Sequence, residues 1–284
     1  MSARRKPGEY PDLLARDAVF GGVVRLWRNP AGRPFAETDR WTLSAEWKLP
    51  ADIAGAYAQV EAEEARLARQ HPFAWDSDFG YLSPDPLHCG TALGIEGEFH
   101  LEALHLIGDL PPVLAALEAV RFQSSNIVED GIRQAAHLFR IRNAATLGIT
   151  ERALVKRAVR LFDDLVVQEL NARKALVEDT PRILEDSVAR ALAVLRSARL
   201  LAPGELLDLL SPIRLAVTMG LLTGITRAET AKLMREQIDA PELPPPRTAE
   251  DDRQRDARDA GLADWANRRF ADVAFNARAD ELFD

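Results

Sequence analysis

Residues 79–104 constrain the fold of this chain more than any other stretch. Phe79-Gly-Tyr-Leu reads as a short strand and Ser83 to Gly90 as a loop holding Pro84, Pro86 and Gly90. Residues 94–104 read as a second strand whose outer face carries Glu96, Glu98, His100 and Glu102 in alternation. A period of two places one face of such a strand toward solvent and the other toward a core.

The rest of the chain supplies partners for that strand. Val19–Asn29 is β-prone, with Val24, Leu26 and Phe20 on one face, Arg25 on the other, and a Pro-Ala-Gly turn after it. Trp41, Leu43, Ala45, Trp47 and Leu49 alternate in the next strand, and residues 136–144 form another. Residues 51–70 are predicted as an amphipathic helix, with Ile53, Tyr57, Val60 and Leu67 on a stripe interrupted by Glu64. Leu110-Pro-Pro opens a further helix, since proline is tolerated in a first turn, and residues 122–138 read as a long loop.

From Thr150, an N-cap candidate, helices follow one another. Their stripes are Leu154, Ala158, Leu161 and Leu165, then Leu184, Val188, Leu192 and Leu195, then Leu206, Leu210, Ile213 and Val217, with a fourth helix from Thr226. Pro241–Arg247 is a stiff linker, and Leu262, Trp265, Phe270 and Val273 mark an amphipathic tail that docks. The predicted fold class is α+β: an antiparallel sheet from strands near 19–27, 40–48, 79–83, 94–104 and 136–144, flanked by helices, with a C-terminal helical subdomain. The expected division is 1–150, 151–240 and 241–284.

A chain of 284 residues, 47% hydrophobic, buries a large core. A formal charge of -8 argues against general attraction to nucleic acid or anionic membranes, and no apolar run reaches membrane-spanning length. The basic start, Met1 to Gly8, leads into no apolar segment of a secretory signal, so the expected location is the cytoplasm. The single cysteine, Cys89, excludes an intrachain disulfide and is read as a structural thiol; no metal site is expected.

Several motifs together carry a family resemblance. They are Gly80-Tyr-Leu, Pro86, Gly90-Thr and Leu93; Arg25-Leu, Arg28-Asn29; Glu37 and Asp39; Arg121; and Phe139-Arg-Ile-Arg-Asn-Ala-Ala-Thr-Leu-Gly148. These resemble the ATP:guanido phosphotransferases, or phosphagen kinases. Leu184-Glu-Asp and Ser211-Pro-Ile-Arg-Leu215 are similar to the bacterial protein-arginine kinases in particular. The resemblance implies a catalytic domain of the phosphagen-kinase and glutamine-synthetase type, truncated here because only Pro30 to Thr38 separates two motifs that the kinases hold further apart.

The departures fall on the family's chemical groups. Asp85 stands at the reactive cysteine, His88 at the asparagine and Gly94 at the phosphate-binding arginine of the loop. Val23 and Thr42 replace further arginines, and Thr38 replaces the carboxylate that grips the guanidinium. One transition-state arginine is worth roughly a thousandfold or more in rate, so no catalytic residue and no cofactor are expected. Arg25, Arg28 and Arg121 match the family's nucleotide-phosphate arginines and imply a weak phosphate site. Asp252 and Arg255 resemble a second, phosphoarginine-binding motif.

The resulting expectation is a pseudokinase that binds a protein: an active arginine kinase, or arginine-rich or arginine-phosphorylated segments, with a homo-oligomer also compatible. Two alternatives stand beside it. One is an active phosphotransferase with a rebuilt site that uses ATP and Mg²⁺, and the other is a purely structural assembly partner.

Overall fold

The computed structural model describes residues 18–33, 40–85, 88–127, 129–130, 133–134, 136–144, 146–239 and 249–283. In chain order the first elements are β1 (Val19–Arg28), β2 (Trp41–Trp47), α1 (Ile53–Ala68), β3 (Trp75–Asp76), β4 (Gly80–Tyr81), β5 (Leu93–His100), α2 (Glu102–Leu106) and α3 (Leu110–Ala119). They are followed by β6 (Phe122–Asn126), β7 (Glu129–Asp130), β8 (Arg133–Gln134), β9 (Leu138–Asn143), α4 (Glu151–Glu178), α5 (Pro181–Ser197) and α6 (Pro203–Thr218). The last are β10 (Leu222–Thr223), α7 (Arg227–Ile238), α8 (Ala249–Arg269), β11 (Ala274–Phe275) and α9 (Ala277–Phe283).

The main sheet is antiparallel with the order β2-β1-β5-β9-β6, so the chain is α+β as its pattern predicts. Its inner face packs on α1 and α4. Val24, Leu26, Ile95, Phe99 and Ile141 are buried there. Phe162 of α4 is the aromatic hub, with ring centroids 5.1 Å from Phe99, 5.7 Å from Trp47 and 5.8 Å from Phe122. Rings at these separations add about 0.5–1.5 kcal/mol per pair beyond the area they bury.

Two sheet assignments differ from the sequence reading. Gly80–Tyr81 pairs with Trp75–Asp76 in a small hairpin and bridges to Gly90, outside the main sheet. Its place at the sheet is taken by Phe122–Asn126, which reads as loop in the sequence and instead forms the edge strand on β9. Nor does the second strand reach residue 104: the chain turns at Leu101 into α2. His100 and Glu102, expected on the solvated face, are therefore buried.

That turn is buried by α6. The Arg214 guanidinium donates to His100 Nδ1 at 3.1 Å, His100 Nε2 lies 2.7 Å from Ser211 Oγ, and Ser211 Oγ donates to Glu102 Oε2 at 2.5 Å. A guanidinium only donates, so the imidazole is neutral with its proton on Nε2. Burial, reinforced by Arg214, holds the His100 pKa well below the usual histidine value. The same helix holds two successive left-handed residues, Ala136 (φ 61°) and His137 (φ 46°). Asp208 Oδ1 accepts the Ala136 N–H at 2.6 Å, and His137 Nδ1 meets Glu102 Oε2 at 2.6 Å. Such a pair costs about 1–3 kcal/mol per residue and persists only where neighbours fix it.

Thr150 and Thr226 cap α4 and α7, each accepting a backbone N–H at 3.3 Å. The tail is docked as its apolar stripe predicts: Phe270 and Val273 are fully buried, and β11 pairs with β10. Arg196 Nε of α5 donates to the Phe270 carbonyl at 3.1 Å. The linker at 241–247 lies outside the described residues, and no described helix is long and apolar enough to cross a membrane.

Candidate functional site

The outer face of the sheet carries a cavity of about 440 Å³. Strand parity selects its walls: Arg25 and Trp27 from β1, Thr42 from β2, Gly94 and Glu96 from β5, Gln123 from β6 and Arg142 from β9. Arg40, just before β2, and Asp85 and His88 of the central loop close it. The loop and strand positions singled out from sequence, Asp85, His88 and Gly94, thus do meet at one cavity, together with Arg25.

The loop is fixed from behind. Gly90, at φ 86°, packs so closely on residues 146–147 that a Cβ there would lie 2.8 Å from Leu147 Cα. Cys89 Sγ faces the carbonyls of Ser83 at 3.6 Å and Asp85 at 3.8 Å, and does not line the cavity. Asn143 is likewise a fastener: its side chain accepts the Ile95 N–H at 2.7 Å and donates to the Leu93 carbonyl at 3.0 Å.

Trp27 dominates the wall beside Gly94. A Cβ on residue 94 would meet the indole, with Cζ3 at 2.7 Å, a separation that real Cβ atoms do not show. The indole also stacks on His88, with centroids 4.1 Å apart. Arg40 Nη1 lies 3.3 Å from His88 Nδ1. Burial is the main cause that lowers the His88 pKa; Arg40 and Arg142 push the same way, and Asp85, at 3.4 Å from Nδ1, opposes them.

Charged side chains run from the cavity to the helical region. Arg25 meets Glu96 at 3.6 Å, Arg140 meets Glu96 at 3.3 Å and Glu98 at 3.0 Å, and Arg235 of α7 meets Glu98 at 2.9 Å. The cation at Arg25 is therefore matched by a carboxylate, whereas Arg40 and Arg142 both act on His88.

The other expected phosphate contacts are not assembled here. Arg28 points to the opposite face, fully buried, with Nε 2.5 Å from Glu64, Nη2 3.1 Å from Glu151 and its guanidinium carbon 3.5 Å above the Tyr81 ring. It is a structural ion-pair centre, and its assignment to phosphate is corrected. Arg121 is exposed at the rim: its carbonyl accepts the Ala144 N–H at 2.9 Å, but its side chain does not line the cavity. Asp252 and Arg255 lie on α8, away from the lining. Glu37, Thr38, Asp39 and Pro86 lie outside the described residues.

The sequence motifs do not single out Trp27, Arg40 or Arg142. Parity with Thr42 points to Arg40, whereas Arg142 stands where the family pattern has serine. Trp27 fills the volume above Gly94, Glu96 is engaged by two arginines, and no described group of three or more acidic, histidine or cysteine residues could hold a metal.

Residues 48–172 match the family model described as ATP:guanido phosphotransferase, C-terminal catalytic domain, and residues 181–273 match that of the protein-arginine kinase McsB C-terminal domain. The protein-arginine kinase of Moorella thermoacetica is 33% identical over 225 residues, covering 78% of this chain and 64% of that protein. That of Clostridium acetobutylicum is 26% identical over 179 residues, covering 63% and 53%. The chain thus spans between half and two thirds of these relatives. A duplicated taurocyamine kinase from Schistosoma mansoni, solved with transition-state-analogue components, superposes with a TM-score of 0.41 at 13% identity, over 56% of this chain and 23% of that one.

Proposed function

We propose that this chain, as a member of the ATP:guanido phosphotransferase family with a protein-arginine kinase type C-terminal region, acts by binding rather than by phosphoryl transfer. Its ligands in this reading are arginine-rich or arginine-phosphorylated protein segments. The observation that carries the reading is the Trp27–Gly94 contact: an indole occupies the space from which the family's loop arginine would reach phosphate.

Transfer to a guanidinium needs cations to bear the developing phosphoryl charge and a carboxylate placed to orient and deprotonate the acceptor. Here Val23, Thr42 and Gly94 remove three cations from the positions that the resemblance assigns to them, and Asp85 adds a negative charge where the phosphoryl group would approach. A cavity keeping arginines without that arrangement favours holding an anion over moving one.

The test is capture of an arginine-phosphorylated protein on the immobilised chain, compared with the same protein after dephosphorylation. Selective retention of the phosphorylated form is expected. Equal or absent retention would contradict recognition and leave an active kinase partner as the ligand.

A further inference from the structure

The cavity holds cations that the family pattern does not place there. Arg40 stands two residues before Thr42, just ahead of β2, and Arg142 projects from β9 opposite Glu96 of β5. Arg40 Nη1 stands 3.3 Å from His88 Nδ1, and Arg40, Arg142 and His88 line the same cavity. Arg25 is matched by Glu96 at 3.6 Å. Trp27, stacked on His88, forms the apolar part of the wall.

We infer that Arg40 and Arg142, beside His88, form a rebuilt oxyanion site that takes a single phosphoryl group and not a nucleoside triphosphate. This rests on the reading of the cavity as a non-transferring binding site. Charge decides the class of ligand. With His88 neutral, the lining carries Arg25, Arg40 and Arg142 against Asp85 and Glu96, one formal positive charge in excess. A monosubstituted phosphate brings about -1.5 to -2 at neutral pH, which that excess and the two guanidinium groups accommodate. A triphosphate brings about twice as much charge, finds no further cation among the described lining residues, and meets Trp27 above Gly94.

The chemistry is common to free phosphate and to a phosphoryl group on a protein side chain. Titration of the whole chain with inorganic phosphate, phosphoarginine, phosphoserine and ATP, read by calorimetry and by ³¹P line broadening, tests it and separates the sources. The single-phosphoryl probes are expected to bind and ATP to bind no tighter than they do; whichever of them binds most tightly names the source. Arg40→Ala and Arg142→Ala should each weaken binding roughly tenfold or more, the loss of one charged hydrogen bond. Arg121→Ala, at the rim, should not.

Absence of binding at millimolar phosphate in the unmodified chain would overturn the site without reference to any variant. ATP binding more than tenfold tighter than phosphate would also overturn it, as would equal losses in Arg121→Ala and Arg40→Ala. Phosphate binding that depends on Arg40 and Arg142, without capture of arginine-phosphorylated protein, would leave this site standing and refute the functional reading above. Capture that survives both arginine substitutions would place recognition elsewhere and refute the assignment.

Discussion

Trp27 and Gly94 are complementary in space: the indole of β1 occupies the volume that any side chain at position 94 of β5 would need, with Cζ3 2.7 Å from where a Cβ would stand. Restoring the family's arginine at Gly94 alone therefore overpacks the wall. Gly94→Arg is expected to destabilise by about 1–3 kcal/mol, the usual cost of forcing extra atoms into a packed site. Trp27→Ala with Gly94→Arg should recover much of that loss. Thermal unfolding checks this at roughly 2–4 °C per kcal/mol for a chain of this size. Additive losses in the double variant would show that the two residues do not share the space.

Arg28 is a stability residue, not a ligand. Its guanidinium is fully buried between Glu64 and Glu151. Arg28→Ala leaves two carboxylates beside an empty, partly buried site, and breaking such a centre costs about 3–5 kcal/mol. Denaturant unfolding should report that loss. Arg25→Ala, on the half-exposed outer face, should cost under about 1 kcal/mol.

His100 makes the fold sensitive to acid. Its folded pKa is pulled well below the ordinary 6.5 by burial, with Arg214, Arg173 and His137 adding positive potential. The unfolded chain then binds a proton that the native chain does not, so stability falls as pH drops below about 6.5 and keeps falling until the native value is reached. Unfolding free energies between pH 7.5 and 5.5 should decline less in His100→Gln than in the unmodified chain. An equal decline in both would assign the effect to His88 and His105, whose pKa values are also lowered.

The tail is core. Phe270 is fully buried and its carbonyl is held by Arg196. Phe270→Ala should cost about 3–5 kcal/mol, as deletion of a buried aromatic does. Asp252 is exposed, and Asp252→Ala should leave the melting temperature unchanged.

Much of this fold is legible in the sequence, and the exceptions have physical causes. Alternation places Leu43, Ala45 and Trp47 on the inner face of β2, and helical stripes locate α4, α5 and α6, because those patterns are local. Strand β6 reads as loop because Gln123-Ser-Ser shows no apolar alternation; only its ends, Phe122 and Asn126, are buried. The period of two from Glu96 to Glu102 continues past the real strand end, since a turn at Leu101 that α6 covers cannot be seen locally. Arg28 shares the parity of Val24 and Leu26, so the pattern itself puts it inside, while the family resemblance suggests phosphate. The cavity is half legible: the motifs point to Asp85, His88, Gly94 and Arg25, but Trp27 against Gly94 depends on the β1–β5 register, which no local signal fixes.

Whether this cavity binds without transferring is tested most directly by a single-turnover experiment: the chain in excess over γ-labelled ATP with Mg²⁺ and an arginine-rich acceptor protein, followed for acid-labile phosphate on arginine. No label above that seen with Asp85→Ala is the predicted result. Label that accumulates on arginine with the unmodified chain and disappears with Asp85→Ala would contradict binding without transfer and establish an active phosphotransferase with a rebuilt site.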